Sequence, residues 1–383
     1  MSDLWDPLFG ATQVAATTND QAWFQALCDV EAALARAEAR TGLIESDAAD
    51  AIGVACSALA KTTPKELGRR AAADGNPVIP LVRELRDRVG QAAAPAVHRG
   101  ATSQDILDTA AMLVARRALA VLLHSLDEAA DACAALARAH RGTVMAGRTL
   151  LQQALPTTFG AVAAGWGHGL DRATSRLRGA REQLAVQLGG AAGTLSALHP
   201  HGPAVRAALA TELELADPAA VWHTERTRVA ELAGALGLAC GVISKVATDI
   251  VLLAQTELGE VAEDRGGGSS AMPHKQNPIA AVTARAAAAQ APGLVATLLT
   301  AMGAELQRGA GPWHAEWQAL TALLNASGGA AARLATSLSG LHVDTAAMYR
   351  TAQGMAGIQN STPAIDVGHA PDLVDDYLNG RAR

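Results

Sequence analysis

Between residues 266 and 278 the chain reads Gly-Gly-Gly-Ser-Ser-Ala-Met-Pro-His-Lys-Gln-Asn-Pro. Two hydroxyls (Ser269 and Ser270), an ammonium (Lys275) and a side-chain amide (Asn277) fall within nine residues of one another. The glycine triplet lets the backbone open and close. Pro273 and Pro278 stiffen the segment and keep it from continuing as helix. Backbone N–H groups, Lys275 and Asn277 can together surround an anion while a serine is presented to a carbon centre. The segment therefore reads as a mobile lid that carries chemistry. A glycine-serine linker would explain the flexibility but not Met-Pro-His-Lys-Gln-Asn-Pro.

Two further polar, glycine-containing segments precede it. His98-Arg99-Gly100-Ala101-Thr102-Ser103-Gln104-Asp105 opens a long helical pattern. Plain N-capping by Thr102 or Ser103, with Asp105 at the positive helix end, accounts for it. Binding of a substrate carboxylate at the same helix N-terminus accounts for it too. Gly147-Arg148-Thr149-Leu150-Leu151-Gln152 reads as a surface turn leading towards a helix near Pro156, and Gly189-Gly190-Ala191-Ala192-Gly193 follows it. His98 either reaches a substrate or supports and caps the first segment. His314, between Trp313 and Trp317, either walls a site or packs there, and Arg308 is a candidate anion ligand.

Long helices must position these segments. Half of the 383 residues are hydrophobic but only 3% are aromatic, so a core of Ala, Leu and Val is expected, suited to close helix packing. Trp23, Leu27, Val30 and Leu34 fall three or four apart in a helix over 21–40 that stops at Gly42. A second helix covers 48–60, then comes a loop with Pro64, and a third helix follows Gly75-Asn76-Pro77. From 105 to 141 the pattern is nearly unbroken, with a stripe of Leu119, Leu122, Leu126, Ala130, Cys133 and Ala137. Further long patterns cover 156–188, 226–260 and 277–304, and no alternating strand of useful length is evident. The expected architecture is all-α: an N-terminal helical domain over 1–104, a long-helix bundle over 105–340, and a shortened segment over 341–383.

A net charge of −6 without Lys/Arg-rich runs argues against a nucleic-acid surface. The uncharged stretch 286–304 contains Gln290 and Pro292, so a buried helix explains it better than a membrane span. Cys28, Cys56, Cys133 and Cys240 form no Cys-x-x-Cys or Cys/His cluster, which points to reduced thiols in a cytoplasmic protein and no metal. Asp3 and Asp6, with no basic segment before an apolar run, do not read as a signal peptide.

The lid matches the pattern G-S-S-x-M-P-x-K-x-N-P, and with the other two segments in this order the chain resembles the fumarase/aspartase superfamily from about residue 20 to about 345. That resemblance implies a homotetramer with a twenty-helix core and active sites shared among three subunits. It implies a carbanion formed or discharged beside a carboxylate, with no cofactor. By the superfamily pattern Ser269 transfers the proton, and Lys275, Asn277 and lid amides stabilise the doubly charged aci-carboxylate. Thr102, Ser103, Thr149, Gln152, His98, Arg308 and His314 would bind the substrate's carboxylates, while His274 lies at a variable position.

One departure selects among reactions. Most members carry His after Gly-Arg-Thr, and here that position is Leu150. Losing this second acid/base fits an intramolecular lactonisation, in which one proton transfer suffices. The cycloisomerase branch, which lactonises 3-carboxy-cis,cis-muconate, is also resembled at Asp6-Pro7-Leu8-Phe9-Gly10, at 151–160 and at 311–318. Adenylosuccinate- or argininosuccinate-type lyases, and a catalytically silent scaffold, are the alternatives. After Val343-Asp344 the chain departs from the superfamily, and Asp366-Val367-Gly368-His369-Ala370-Pro371 resembles its extreme tail, so most of a small third domain is expected to be missing.

Overall fold

The computed structural model describes residues 4–264, 267–268, 271–272, 275–354 and 365–381. The N-terminal part holds α1 (Thr12–Thr18), α2 (Asp20–Arg40), α3 (Ser46–Leu59), α4 (Lys65–Asp74), α5 (Val78–Arg88) and α6 (Gly90–Ala93). Asn19 Oδ1 starts α2 by accepting from the Ala22 N–H at 2.8 Å. Leu27, Val30 and Leu34 are buried as the spacing requires. Trp23 is half-buried and donates from Nε1 to Thr321 Oγ1 at 3.1 Å. The expected loop around Pro64 is shorter than the sequence suggests, because Pro64 caps α4. Proline at a helix start gives up no hydrogen bond there.

The bundle consists of α7 (Ser103–Ala139), α8 (Phe159–Glu182), α10 (Thr227–Leu253), α11 (Ile279–Ala288), α12 (Ala291–Thr300) and α13 (Pro312–Ser339), while α9 (Gly202–Leu213) packs on α2. At 37 residues α7 spans about 55 Å, and its expected stripe is buried throughout. α7 packs against α8 and α13, and α10 packs against α8, α11, α12 and α13. Thr227 N–H donates to Glu225 Oε1 at 3.1 Å at the start of α10. Thr224 is used elsewhere, its hydroxyl donating to the Leu306 carbonyl at 2.7 Å.

Three expectations need correction. The helix expected over 277–304 is two helices, broken at Ala289–Gln290 ahead of Pro292, which lacks the N–H that a continuous helix needs. The helix expected over 156–188 begins only at Phe159, because the residues before it are a strand. Short strands do occur: β1 (Val144–Thr149) pairs antiparallel with β2 (Gln152–Thr158), and β3 (Val261–Glu263) with β4 (Leu341–Val343). The hairpin escapes sequence reading for two reasons. Its register slips between Ala146 and Arg148, and its turn is Leu150-Leu151 rather than Asn-Gly. The register slip needs Gly147, where a Cβ would sit 2.5 Å from the Leu155 carbonyl oxygen.

α14 (Thr345–Gln353) lies against β1, and α15 (Ala370–Arg381) returns to α8, where Arg141 grips Asp375 at 2.7 and 2.6 Å. The segments 227–253 and 279–300 are long and apolar enough to cross a membrane, and both pack in the bundle. Only 44% and 39% of their most apolar windows are buried. The second is therefore less enclosed than expected.

Candidate active site

The N-terminus of α7 is tied down by one carboxylate. Thr102 and Asp105 close a capping box, with Asp105 Oδ2 accepting from the Thr102 N–H at 2.9 Å. The same carboxylate accepts from the N–H groups of Gly189 and Gly190, both at 2.9 Å, and contacts His223 Nε2 at 2.7 Å. Four contacts on one buried carboxylate fix the glycine loop beside the helix start. A Cβ at Gly189 would lie 2.6 Å from Val221 Cγ1. Capping is thus realised at Thr102, while the half-buried Ser103 makes no side-chain hydrogen bond to a described residue.

One turn further along α7, Asp108 anchors a buried network. Arg226 donates to Asp108 at 2.8 and 3.1 Å and to Glu316 at 2.9 and 2.5 Å. Trp313 Nε1 donates to Asp108 Oδ1 at 2.9 Å, and the Arg226 guanidinium lies 4.8 Å from the Trp222 ring centre. Burial works against the Arg226 charge, but Asp108 and Glu316 outweigh it and raise its pKa. The network pins the starts of α7, α10 and α13 to one another. The sequence reading missed Asp108, His223, Arg226 and Glu316. The signal available was a polar run, Trp-His-Thr-Glu-Arg, opening an otherwise apolar helix.

Arg308 joins this cluster, donating to Gln104 Oε1 at 3.3 Å and to the Ala191 carbonyl at 2.9 Å. His314 is exposed, with ring centres 5.2 Å from Trp313 and 4.7 Å from Trp317. His98 Nδ1 meets Glu31 Oε1 at 2.7 Å, and its backbone is left-handed at φ +59. Burial disfavours the charged His98 ring, but Glu31, by charge and hydrogen bond, and then Asp105 prevail and raise its pKa.

Thr149 and Gln152 stand elsewhere. They face each other across the tip of the β1–β2 hairpin, both exposed. Leu150 and Leu151 between them adopt φ +52 and +63 and are 96% and 71% exposed, with Leu155 at 83%. The hairpin is rooted by Arg148, which grips the buried Glu260 at 2.9 and 2.6 Å.

The lid forms a third region. Its neck is closed by a pair of backbone hydrogen bonds between Gly267 and Asn277 at 2.9 and 3.0 Å, and Asn277 Nδ2 donates to the Gly267 carbonyl at 3.1 Å. Lys275 is exposed. Behind the neck, Glu263 accepts from the N–H groups of Ala280 and Ala281 and from Ser337 Oγ at 2.6 Å, locking the start of α11. Ser269, Ser270 and His274 lie outside the described residues. The structure thus ties Arg308 to Gln104, the residue after Ser103, and to the glycine loop that Asp105 clamps. No described hydrogen bond joins that cluster to Thr149 and Gln152 or to Lys275 and Asn277.

Residues 2–293 match the sequence model of a family described as lyase. The chain is 45% identical over 365 residues to 3-carboxy-cis,cis-muconate cycloisomerase of Bradyrhizobium diazoefficiens, an alignment covering 94% of this chain and 81% of that protein. It is 44% identical over 357 residues to nitrosuccinate lyase of Streptomyces davaonensis, covering 90% of this chain and 75% of that one. Its fold matches the crystal structure of 3-carboxy-cis,cis-muconate lactonizing enzyme from Pseudomonas putida with a TM-score of 0.86 at 40% identity, covering 92% of this chain and 80% of that one.

Proposed function

Because this chain belongs to the lyase family of the fumarase/aspartase superfamily, we propose that it lactonises 3-carboxy-cis,cis-muconate to 4-carboxymuconolactone, a step in the protocatechuate branch of aromatic catabolism. The hairpin tip carries the choice of reaction: Thr149-Leu150-Leu151-Gln152 holds no acid or base. A substrate carboxylate forms the new C–O bond to the diene. The π electrons move to the carbon beside another carboxylate, and that carbon takes one proton. Ser269 donates it and is reprotonated from solvent. Lys275 and the lid amides hold the doubly charged aci-carboxylate, where charge grows most between ground and transition state. Asn277 keeps the lid neck closed and presents its amide beside it. Thr102, Ser103, Arg308, His98 and His314 bind carboxylates at the α7 end, and Thr149 and Gln152 bind from the hairpin.

The three regions occupy different elements, and a shared site in a homotetramer is the arrangement we infer. Support comes from the three exposed leucines at the hairpin tip and from the half-covered apolar helices of the bundle. The substrate is a small molecule, and the four buried free thiols fit a cytoplasmic location, where thiols stay reduced.

A second reading is elimination from a succinate derivative, favoured by the nearly equal identity to nitrosuccinate lyase. An ultraviolet assay of the purified chain decides between them. Turnover is expected with 3-carboxymuconate, and turnover of nitrosuccinate, adenylosuccinate or argininosuccinate in its place rejects the lactonisation.

A further inference from the structure

Glu31 and Glu38 stand seven residues apart on one face of α2, at 1% and 0% exposure. Glu31 uses Oε1 to hold His98 Nδ1 at 2.7 Å, whereas its Oε2 and both oxygens of Glu38 have no partner. A buried carboxylate without donors is strongly disfavoured as an anion. Burial and then the Glu31 charge push Glu38 up to about 8, with Arg99 acting the other way. Glu38 therefore keeps its proton at neutral pH, and Glu31 is the carboxyl of the pair that reaches a histidine. That carboxyl faces a histidine in the left-handed backbone region, which is uncommon outside glycine. Such strain persists where surroundings over-determine a residue, and it gathers at functional sites. His98 lies four residues before Thr102, and with Nδ1 occupied its Nε2 bonds no described residue.

We propose that Glu31 is a positioning residue that holds His98 as an imidazolium, so that its free Nε2–H donates to a carboxylate of the substrate. The proposal rests on the polycarboxylate reading above. A neutral ring donating from Nδ1 to Glu31 would present a lone pair at Nε2 and repel a carboxylate. The charged ring presents a donor. The groups that set its charge are Glu31 and the neutral Glu38 from α2, Arg86 from α5, Asp105 from α7 and Arg99 from its own loop.

Histidine-selective NMR titration of the full chain, with the His98 signal assigned by its loss in His98→Ala, tests the charge without needing turnover. Glu31→Gln preserves an acceptor for Nδ1 but removes the charge, and the ring's pKa is expected to fall by about one unit or more. Glu38→Met, which removes a neutral group, is expected to leave the titration in place. An unmoved His98 titration in Glu31→Gln overturns the proposal. Kinetics with 3-carboxymuconate test the contact. Glu31→Gln and His98→Ala should each raise KM about tenfold with kcat little changed. The alkaline limb of kcat/KM should move to lower pH in Glu31→Gln, and an unchanged KM and limb overturn the role. If the unaltered chain fails to turn over 3-carboxymuconate, the functional reading falls alone. Tricarballylate then serves as the probe: a shift of the His98 ring signals on its addition, lost in Glu31→Gln, sustains the proposal, and no shift rejects it.

Discussion

The α7 end and the hairpin tip are both polar, both on the path of the proposed chemistry, and built in opposite ways. At the α7 end nearly every charge is answered from within the chain: Asp105 has four donors, and Asp108, Arg226 and Glu316 satisfy one another out of solvent. At the tip nothing is answered. Two leucines sit in left-handed conformations that disfavour them, and with Leu155 they face solvent. The first region is satisfied within the fold of one chain, and the second leaves three leucines exposed. The lid neck stands between these extremes, hydrogen-bonded at its base and exposed at Lys275 and Gln276.

The contrast gives ordered ways to break it. The largest effect is expected on the lid: Ser269→Ala should lower kcat by about a thousandfold or more while circular dichroism and assembly mass stay unchanged. Near-normal turnover would remove Ser269 from the mechanism. Next comes the internally satisfied region. Arg226→Met strands two buried carboxylates and should lower unfolding free energy by roughly 3–5 kcal/mol in urea titration. A loss under about 1 kcal/mol would show that the network is not what holds the α7 end.

At the tip the same kind of change should leave folding alone. Leu150→Asp combined with Leu155→Asp should keep the urea midpoint within error. Light scattering should show a smaller assembly and the assay a loss of turnover; an unchanged mass would mean the tip meets no neighbouring copy. The smallest effect concerns Glu38. Its pKa rises from 4.5 to about 8 in the fold, so the folded state holds a proton that the unfolded chain sheds first as pH increases. Its contribution is intact below about 4.5, erodes from there to about 8, and is gone above. Glu38→Met should therefore raise Tm more at pH 8.5 than at pH 5.5, and a pH-independent gain would contradict the buried proton.

Much of the fold was legible because helix periodicity is a local property. The α2 and α7 stripes could be placed from three- and four-residue spacing, and the buried side chains agree. The β1–β2 hairpin was not legible, since an exposed ribbon with a register slip and a Leu-Leu turn lacks alternation and turn chemistry alike. The break at Ala289–Gln290 falls just ahead of Pro292, but the apolar pattern over 277–304 runs across it and predicts one helix. Among site residues, Arg308 meets Gln104, the residue after Ser103, while the side chains that brace this end of α7 were missed. Asp108 and Glu316 lie 118 and 90 residues from Arg226 in the chain, and no local pattern marks charges that meet only after packing.

What the chain's letters settled alone is the chemical inventory: a glycine-hinged segment bearing Ser269, Lys275 and Asn277, a leucine where an acid/base would stand, and helices to carry them. Those features depend on residue type and short spacing, which need no tertiary contact to read. Packing alone decided that Asp105 clamps the glycine loop, that Glu31 grips His98 and that Glu38 is left without a partner. Each depends on which distant groups share a desolvated space, and burial is what gives a carboxylate its charge state and its partners their strength.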